Sequence, residues 1–328
     1  MVPSPAGMDD ERSDGATAGG APLTSATVLF NASARKAGWP SRASRIARYL
    51  DARGVSTEVV IPDSAEAATR AARLSAQRGD DALFVVGGDG SLRDAATGLA
   101  HTHTALAAVR GGTVNIWARE AGIPAGLRTA LVAHLSGLTV AMDLGLAGER
   151  HFLLMASVGW DAAITATVSS RLKHRIGDLA YVVRALQMAP RLRPAGALWR
   201  SGLASQEARL AVLVLSNTRL YGGRVRVSPV ALADDGLLDV AALMPRSALD
   251  WPSLAVRLLT GALAAHRRAI VTQVDDLSFE TPGLPFQLDG DYAGRTPVRF
   301  GVDHLALRVR VPAGPLPPIF STPAVPRM

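Results

Sequence analysis

The residues with the clearest capacity for chemistry are Gly87-Gly88-Asp89-Gly90-Ser91, three glycines around one carboxylate with a hydroxyl at the end. Ala82 to Val86 just before them is an apolar run of strand length, and Leu92 to Ala100 just after them has helical spacing. Strand, glycine loop and helix in that order predict an anion site. Glycine lets the backbone approach a ligand closely or turn with φ > 0, and the N–H groups at a helix start, Ser91 among them, offer donors and a partial positive charge. A carboxylate in such a place needs a reason. Asp89 fits if a cation such as Mg²⁺ lies between it and a phosphate, or if it takes the proton of an attacking hydroxyl. The plainer alternative is a tight strand-to-helix turn in which Asp89 caps a helix.

A second loop repeats the arrangement. Leu106 to Val109 reads as a strand, and Arg110-Gly111-Gly112-Thr113-Val114-Asn115 leads from it into a predicted helix from Ile116 to Arg119. Two parallel strands would then end in glycine loops at one sheet edge, where open α/β sheets bind their ligands. Gly87 to Ser91 followed by Gly112-Thr113-Val114-Asn115-Ile116-Trp117-Ala118-Arg119 resembles the diacylglycerol kinase catalytic-domain family, which includes sphingosine and ceramide kinases and soluble bacterial lipid kinases. That family shows GGDGT with an acidic residue shortly after, then PxGTxNDFAR.

The resemblance continues through Phe152 to Ala162, Ile176 to Tyr181, and the series Asn217, Gly222-Gly223, Pro229, Ala231, Asp235 to Val240. It ends at Asp289-Gly290-Asp291, where the family has Asp-Gly-Glu. Departures fall at Ala32, Pro62, Arg110 (for proline), Ile116 (for aspartate) and Asp291, while Asp94 stands for a glutamate. The family likeness implies an ATP- and Mg²⁺-dependent kinase acting on a lipid hydroxyl, with diacylglycerol as the first expectation. It assigns Asn31, Gly87, Gly88, Asp89, Gly90, Ser91, Asp94, Gly112, Thr113 and Asn115 to the nucleotide, and Asp89 to the metal. For the base it offers Asp89 or Asp289 with Asp291 beside it; Asp289 is preferred, and Asp89 is kept for the nucleotide and Mg²⁺. Two rivals remain: a non-catalytic lipid- or nucleotide-binding relative, suggested by the departures, and a NAD kinase, which shares GGDG but carries an Asn-x-Gly-x-x-Gly-Phe motif missing here.

The elements that must position these residues read in order. Ala26 to Phe30 is a strand ending at Asn31; Ser41 caps a helix to Arg53; Val55 to Ile61 is a strand; and Asp63 with Glu66 has capping-box spacing for a helix ending near Gly79. With the two loops this gives β-α-β-α-β-α-β, a doubly wound, mostly parallel α/β sheet. A helix from Leu127 to Leu135 and a strand from Thr139 to Gly145 lead into a second, mainly antiparallel β domain. There Asp161 is expected to cap a helix, Asp235-Gly236 to make a hairpin turn, Ser247 to Arg267 to be helical, and the apolar stretch from Leu254 to Ala265 to be a buried helix. The domain reading is a disordered leader at 1–24, a nucleotide-binding domain at 25–140, a lipid-substrate domain at 141–312 and a proline-rich tail at 313–328.

Composition bounds the class. A hydrophobic share of 48% over 328 residues supports folded domains, and with no cysteine there is no disulfide or thiolate chemistry. The net charge of +7 rests on arginine, since Lys36 and Lys173 are the only lysines. Dispersed arginines without interleaved aromatics argue against nucleic acid and suit a nucleotide or an anionic membrane surface. The basic knot Arg171, Lys173, His174 and Arg175 is a candidate lipid contact. No signal peptide or spanning segment is legible, so the expected location is cytoplasmic with transient, peripheral visits to the membrane, and a homodimer is compatible with it.

Overall fold

The computed structural model describes residues 22–30, 39–167, 193–221 and 225–321. Asn31, Ser33, Arg35 and Lys36, the basic knot at 171–175 and Gly222-Gly223 lie outside the described residues.

The first half alternates as the sequence pattern requires: β1 (Ser25–Phe30), α1 (Trp39–Asp51), β2 (Ser56–Val60), α2 (Ala65–Gln77), β3 (Ala82–Gly87), α3 (Asp89–Leu99), β4 (Ala105–Arg110), α4 (Ile116–Glu120) and α5 (Leu127–Leu135). The strands are parallel in the order β2-β1-β3-β4. β3 is buried along its whole length because it has covered neighbours on both faces. Leu83 and Val85 pack toward α2 and α3, while Phe84 and Val86 pack toward Ile46, Leu50 and Leu131 of α1 and α5. The cap of α2 is Ser64, whose hydroxyl accepts the Ala67 N–H at 3.1 Å, one residue later than the expected Asp63.

The second half adds β5 (Leu138–Ala147), β6 (Arg150–Phe152), β7 (Met155–Gly159), α6 (Trp160–Thr167), β8 (Ala195–Ser201), β9 (Ala204–Leu210), β10 (Val212–Ser216), β11 (Leu220–Tyr221), β12 (Val225–Arg226), β13 (Leu238–Leu243), α7 (Asp250–Leu259), β14 (Ala269–Val274), β15 (Asp276–Phe279), β16 (Pro285–Leu288), β17 (Asp291–Arg295) and β18 (Val298–Val311). An antiparallel sheet runs β14-β13-β10-β7-β16-β17. Its inner face packs through Val158, Leu213, Leu215, Val240 and Leu288 on Trp199, Phe279 and Phe300 of the other sheet, forming a sandwich core.

β18 joins the halves. It pairs antiparallel with β5 and β15 and, at Val309, parallel with Leu106 of β4, so the last strand extends the first sheet. Its register shifts between Asp303 and Leu307, and the buried Asp143 holds the irregularity. That carboxylate accepts the Leu305 N–H at 2.7 Å and the Gly236 N–H at 2.7 Å, and lies 2.8 Å from His304 Nδ1.

Several expectations are corrected. Gly236, at φ +76°, turns the chain so that its amide reaches Asp143, and Asp235-Gly236 does not join two paired strands. Asp161 sits in the first turn of α6, where it accepts from Ser157 Oγ at 2.6 Å and Gln287 Nε2 at 3.1 Å, so it ties β7 to β16 rather than capping a backbone. The helix expected over 247–267 is α7 alone, stopped by Gly261 at φ +70° and followed by one 3₁₀ turn at Leu263–Ala265. α7 is not buried: only Leu254 is fully covered. The folded chain also starts before residue 25, because Leu23 is buried beside Val28 and Thr24 donates its N–H and hydroxyl to Asp81. Residues 313–321 are not loose. Ile319 and Phe320 are buried in the first-domain core, and Ser321 donates to Asp234 at 2.9 Å.

Candidate active site

Both glycine loops lie at the C-terminal edge of the parallel sheet, with Gly87 opposite Arg110 in register. The sequence suggested that the glycines supply φ > 0, yet none of Gly87, Gly88, Gly90, Gly111 and Gly112 has positive φ. Proximity is the reason for three of them. A Cβ on Gly87 would stand 2.6 Å from Ser91 Cβ, and one on Gly112 would stand 2.6 Å from Gly88 Cα. The two loops are packed backbone on backbone, and the Gly111 N–H donates to Gly87 O at 2.9 Å. Gly90 differs, since its Cβ would meet only Asp291 Oδ2 at 3.7 Å.

Asp89 is the first residue of α3, but it caps the other helix. Its Oδ2 accepts the Ile116 N–H at 3.0 Å and its Oδ1 the Trp117 N–H at 3.1 Å, placing a negative charge on the N-terminus of α4. The sequence suggested a cap for the helix that the first loop opens; the cap instead acts across the two loops, on α4. Asn115, left-handed at φ 51°, shapes the second loop by accepting the Gly112 N–H at 2.8 Å and the Gly111 N–H at 3.2 Å and donating to Gly112 O at 2.7 Å. Those amides face inward, while Gly112 and Thr113 themselves are exposed. Arg110 donates to the carbonyls of Ala118 and Ile123 at the far end of α4, which accounts for arginine there, and Ile116 is buried. Glu120 ends α4 and accepts the Arg219 and Leu220 N–H groups at 3.0 Å each, so α4 spans from α3 to the second domain.

The remaining carboxylates meet at Arg93, which the sequence reading did not single out. It follows Gly90 by three residues and so shares its helix face, a spacing that could have revealed it. Its guanidinium donates to Leu288 O at 3.1 Å and lies 3.2 Å from both Asp94 Oδ1 and Asp291 Oδ2. Burial opposes its charge, but Asp289, Asp94 and Asp291 outweigh that and raise its pKa. Burial also raises Asp94, against the pull of Arg93. Asp291 is half-exposed. Asp289, also left-handed at φ 50°, accepts the Leu153 N–H on Oδ2 at 2.7 Å and the Leu154 and Met155 N–H groups on Oδ1 at 2.8 and 3.0 Å. Burial lifts its pKa to about 6, against Arg93 and the three amides, which hold it down. Asn115 and Asp289 are thus both non-glycine residues held in the left-handed region.

The sequence from 25 to 147 matches the profile of the diacylglycerol kinase catalytic domain, and 155–311 matches that of the YegS C-terminal NAD kinase beta sandwich-like domain. A probable lipid kinase YegS-like of Pseudomonas putida is 36% identical over 240 residues, covering 72% of this chain and 78% of the relative. The chain belongs to the diacylglycerol kinase catalytic-domain family. A diacylglycerol kinase of Mycobacterium tuberculosis is 30% identical over 272 residues, covering 80% of this lipid kinase and 87% of its relative. The crystal structure of a diacylglycerol kinase from Bacillus anthracis superimposes with a TM-score of 0.69 over 88% of this chain and 97% of that one; at 16% identity the likeness is one of fold. Among the described residues no group of three or more His, Asp or Glu is arranged to enclose a metal ion, and no helix is long and apolar enough to cross a membrane.

Proposed function

We propose that the protein transfers the γ-phosphoryl group of ATP to a lipid hydroxyl, with diacylglycerol the first acceptor to test, and that Asp289 is the base. The observation that carries this reading is the gathering of the first-domain helix α3 and the second-domain carboxylates Asp289 and Asp291 around one guanidinium, Arg93. Bound ATP supplies the phosphoryl group, and Mg²⁺ offsets its charge. The N-terminus of α3, where Gly90 carries no side chain, would face a phosphate of the bound nucleotide. Mg²⁺ commonly uses one or two carboxylates together with phosphate oxygens and waters, so the absence of a carboxylate cage among the described residues fits it. Asp89, fixed in place by the two α4 amides, would be the protein ligand.

Three amides fix the Asp289 carboxylate and use three of its roughly four positions, with Oδ2 holding only one N–H. The open position on Oδ2 is where a lipid hydroxyl delivers its proton as its oxygen attacks. A carboxylate near pKa 6 is ionised at neutral pH and still basic enough for that transfer. The lipid would meet the enzyme peripherally, at a membrane surface in the cytoplasm.

The test is transfer of labelled γ-phosphate from ATP and Mg²⁺ to a panel of micellar lipids and to NAD. The expected product is a labelled phospholipid, with turnover about 10²–10⁴-fold lower for Asp289→Asn. ATP binding without transfer to any acceptor would establish the non-catalytic relative instead, and labelled NADP would establish a NAD kinase.

A further inference from the structure

α7 is laid against the outer face of the second sheet by Leu254, with Trp251 and Leu258 partly covered over Val214 and Ala241. The opposite side of the helix is apolar as well. Leu249, Val256 and Leu259 follow one another at spacings of seven and three residues, which places them in one stripe, and they are 87%, 58% and 74% exposed. Val230 is 70% exposed as well, and its neighbour Pro229 abuts the chain at Gly261, just past the end of α7. Large side chains aligned in this way in water mark a surface that meets something apolar.

The charge around the stripe says what that is. Residues 244–271 hold four arginines against one aspartate. Arg246 and Arg267 are exposed near the start of α7, and Arg257, next to Val256 in the chain, is exposed as well. Asp250 is turned inward, where its Oδ2 accepts the Arg246 and Ser247 N–H groups at 2.8 and 3.1 Å. We infer that this face of α7 docks on an anionic lipid bilayer, the apolar stripe entering the acyl boundary and the arginines meeting headgroup phosphates. A second copy of the chain fits less well, since a two-fold contact through this patch would set arginines against arginines.

The position of the stripe suits the reaction proposed above, on which this reading rests. The chain at the end of α7 touches Pro229, next to Ser228, whose hydroxyl donates to Asp239 at 2.6 Å. Asp239 pairs with Ser216, and Ser216 pairs with Met155, whose amide holds Asp289. The docking helix therefore leads to the sheet edge that carries the proposed base.

Flotation of the full-length protein with vesicles of phosphatidylcholine, with and without phosphatidylglycerol, tests the inference without ATP or acceptor. The protein should float with the anionic vesicles and be released by salt. Val256→Asp and Leu259→Asp should each weaken binding at least about tenfold, and Arg257→Gln about fivefold, with thermal melting and ATP binding unchanged. Wild-type protein that ignores anionic vesicles, or variants that bind them as wild type does, would overturn the inference. So would a wild-type dimer that Leu259→Asp converts to monomer without loss of vesicle binding. Vesicle binding without phosphoryl transfer would leave the docking face standing and remove the reaction.

Discussion

At the residue scale, Asp289 shows how a carboxylate can be held rigidly and kept basic at once. Burial pushes its proton affinity up, and Arg93 with three amides keeps it from rising further. Because the base acts only when ionised, kcat/KM should rise with pH through an inflection near 6. Arg93→Gln removes the charge that lowers this pKa and should move the inflection upward; a profile that does not move would separate Arg93 from the base. The sign for stability is the opposite of that for activity. The folded carboxyl holds its proton more tightly than an ordinary aspartate at 3.8, so ionising it costs stability as pH rises from about 4 through about 6.

At the scale of elements, the two loops are one unit because their backbones touch. Gly112→Ala would set a Cβ 2.6 Å from Gly88 Cα, and backbone cannot swing aside as a side chain can. The expected result is a loss of about 1–3 kcal/mol in urea unfolding and at least about a tenfold loss of ATP affinity by calorimetry. Gly90→Ala is the contrasting substitution. Its Cβ meets only Asp291 Oδ2 at 3.7 Å, so stability should be unchanged or up to about 1 kcal/mol higher, since alanine suits a helix better than glycine. Equal damage from both would refute loop-to-loop contact as the reason for Gly112.

At the scale of the whole molecule, the chain closes on itself. β18 returns to the first sheet, and the segment after it seats Ile319 and Phe320 against that domain's core while Ser321 is fastened to Asp234. Ending the chain at residue 318 should lower stability by about 3–6 kcal/mol, the burial of two large apolar side chains, measured by urea unfolding. A chain that unfolds at the same urea concentration would mean that this segment contributes nothing.

The sequence by itself determined the alternation of strands and helices in the first half, both glycine loops and the carboxylate elements. Each is written in short spacings: period two or 3.6 in the apolar residues, and glycines and acids within a few positions of one another. Only the tertiary structure decided what the loop residues do. Asp89 caps α4 rather than its own helix because β3 and β4 lie side by side, which brings it to amides 27 and 28 residues further along the chain. Arg93 gains its role from Leu288 and Asp291, nearly 200 positions away, and no local pattern announces such a partner. For the same reason α7 reads as a buried helix by composition and emerges with one apolar side in water. Hydrophobicity says that a side chain prefers to leave water, and only the packing of neighbouring elements decides whether the protein itself covers it.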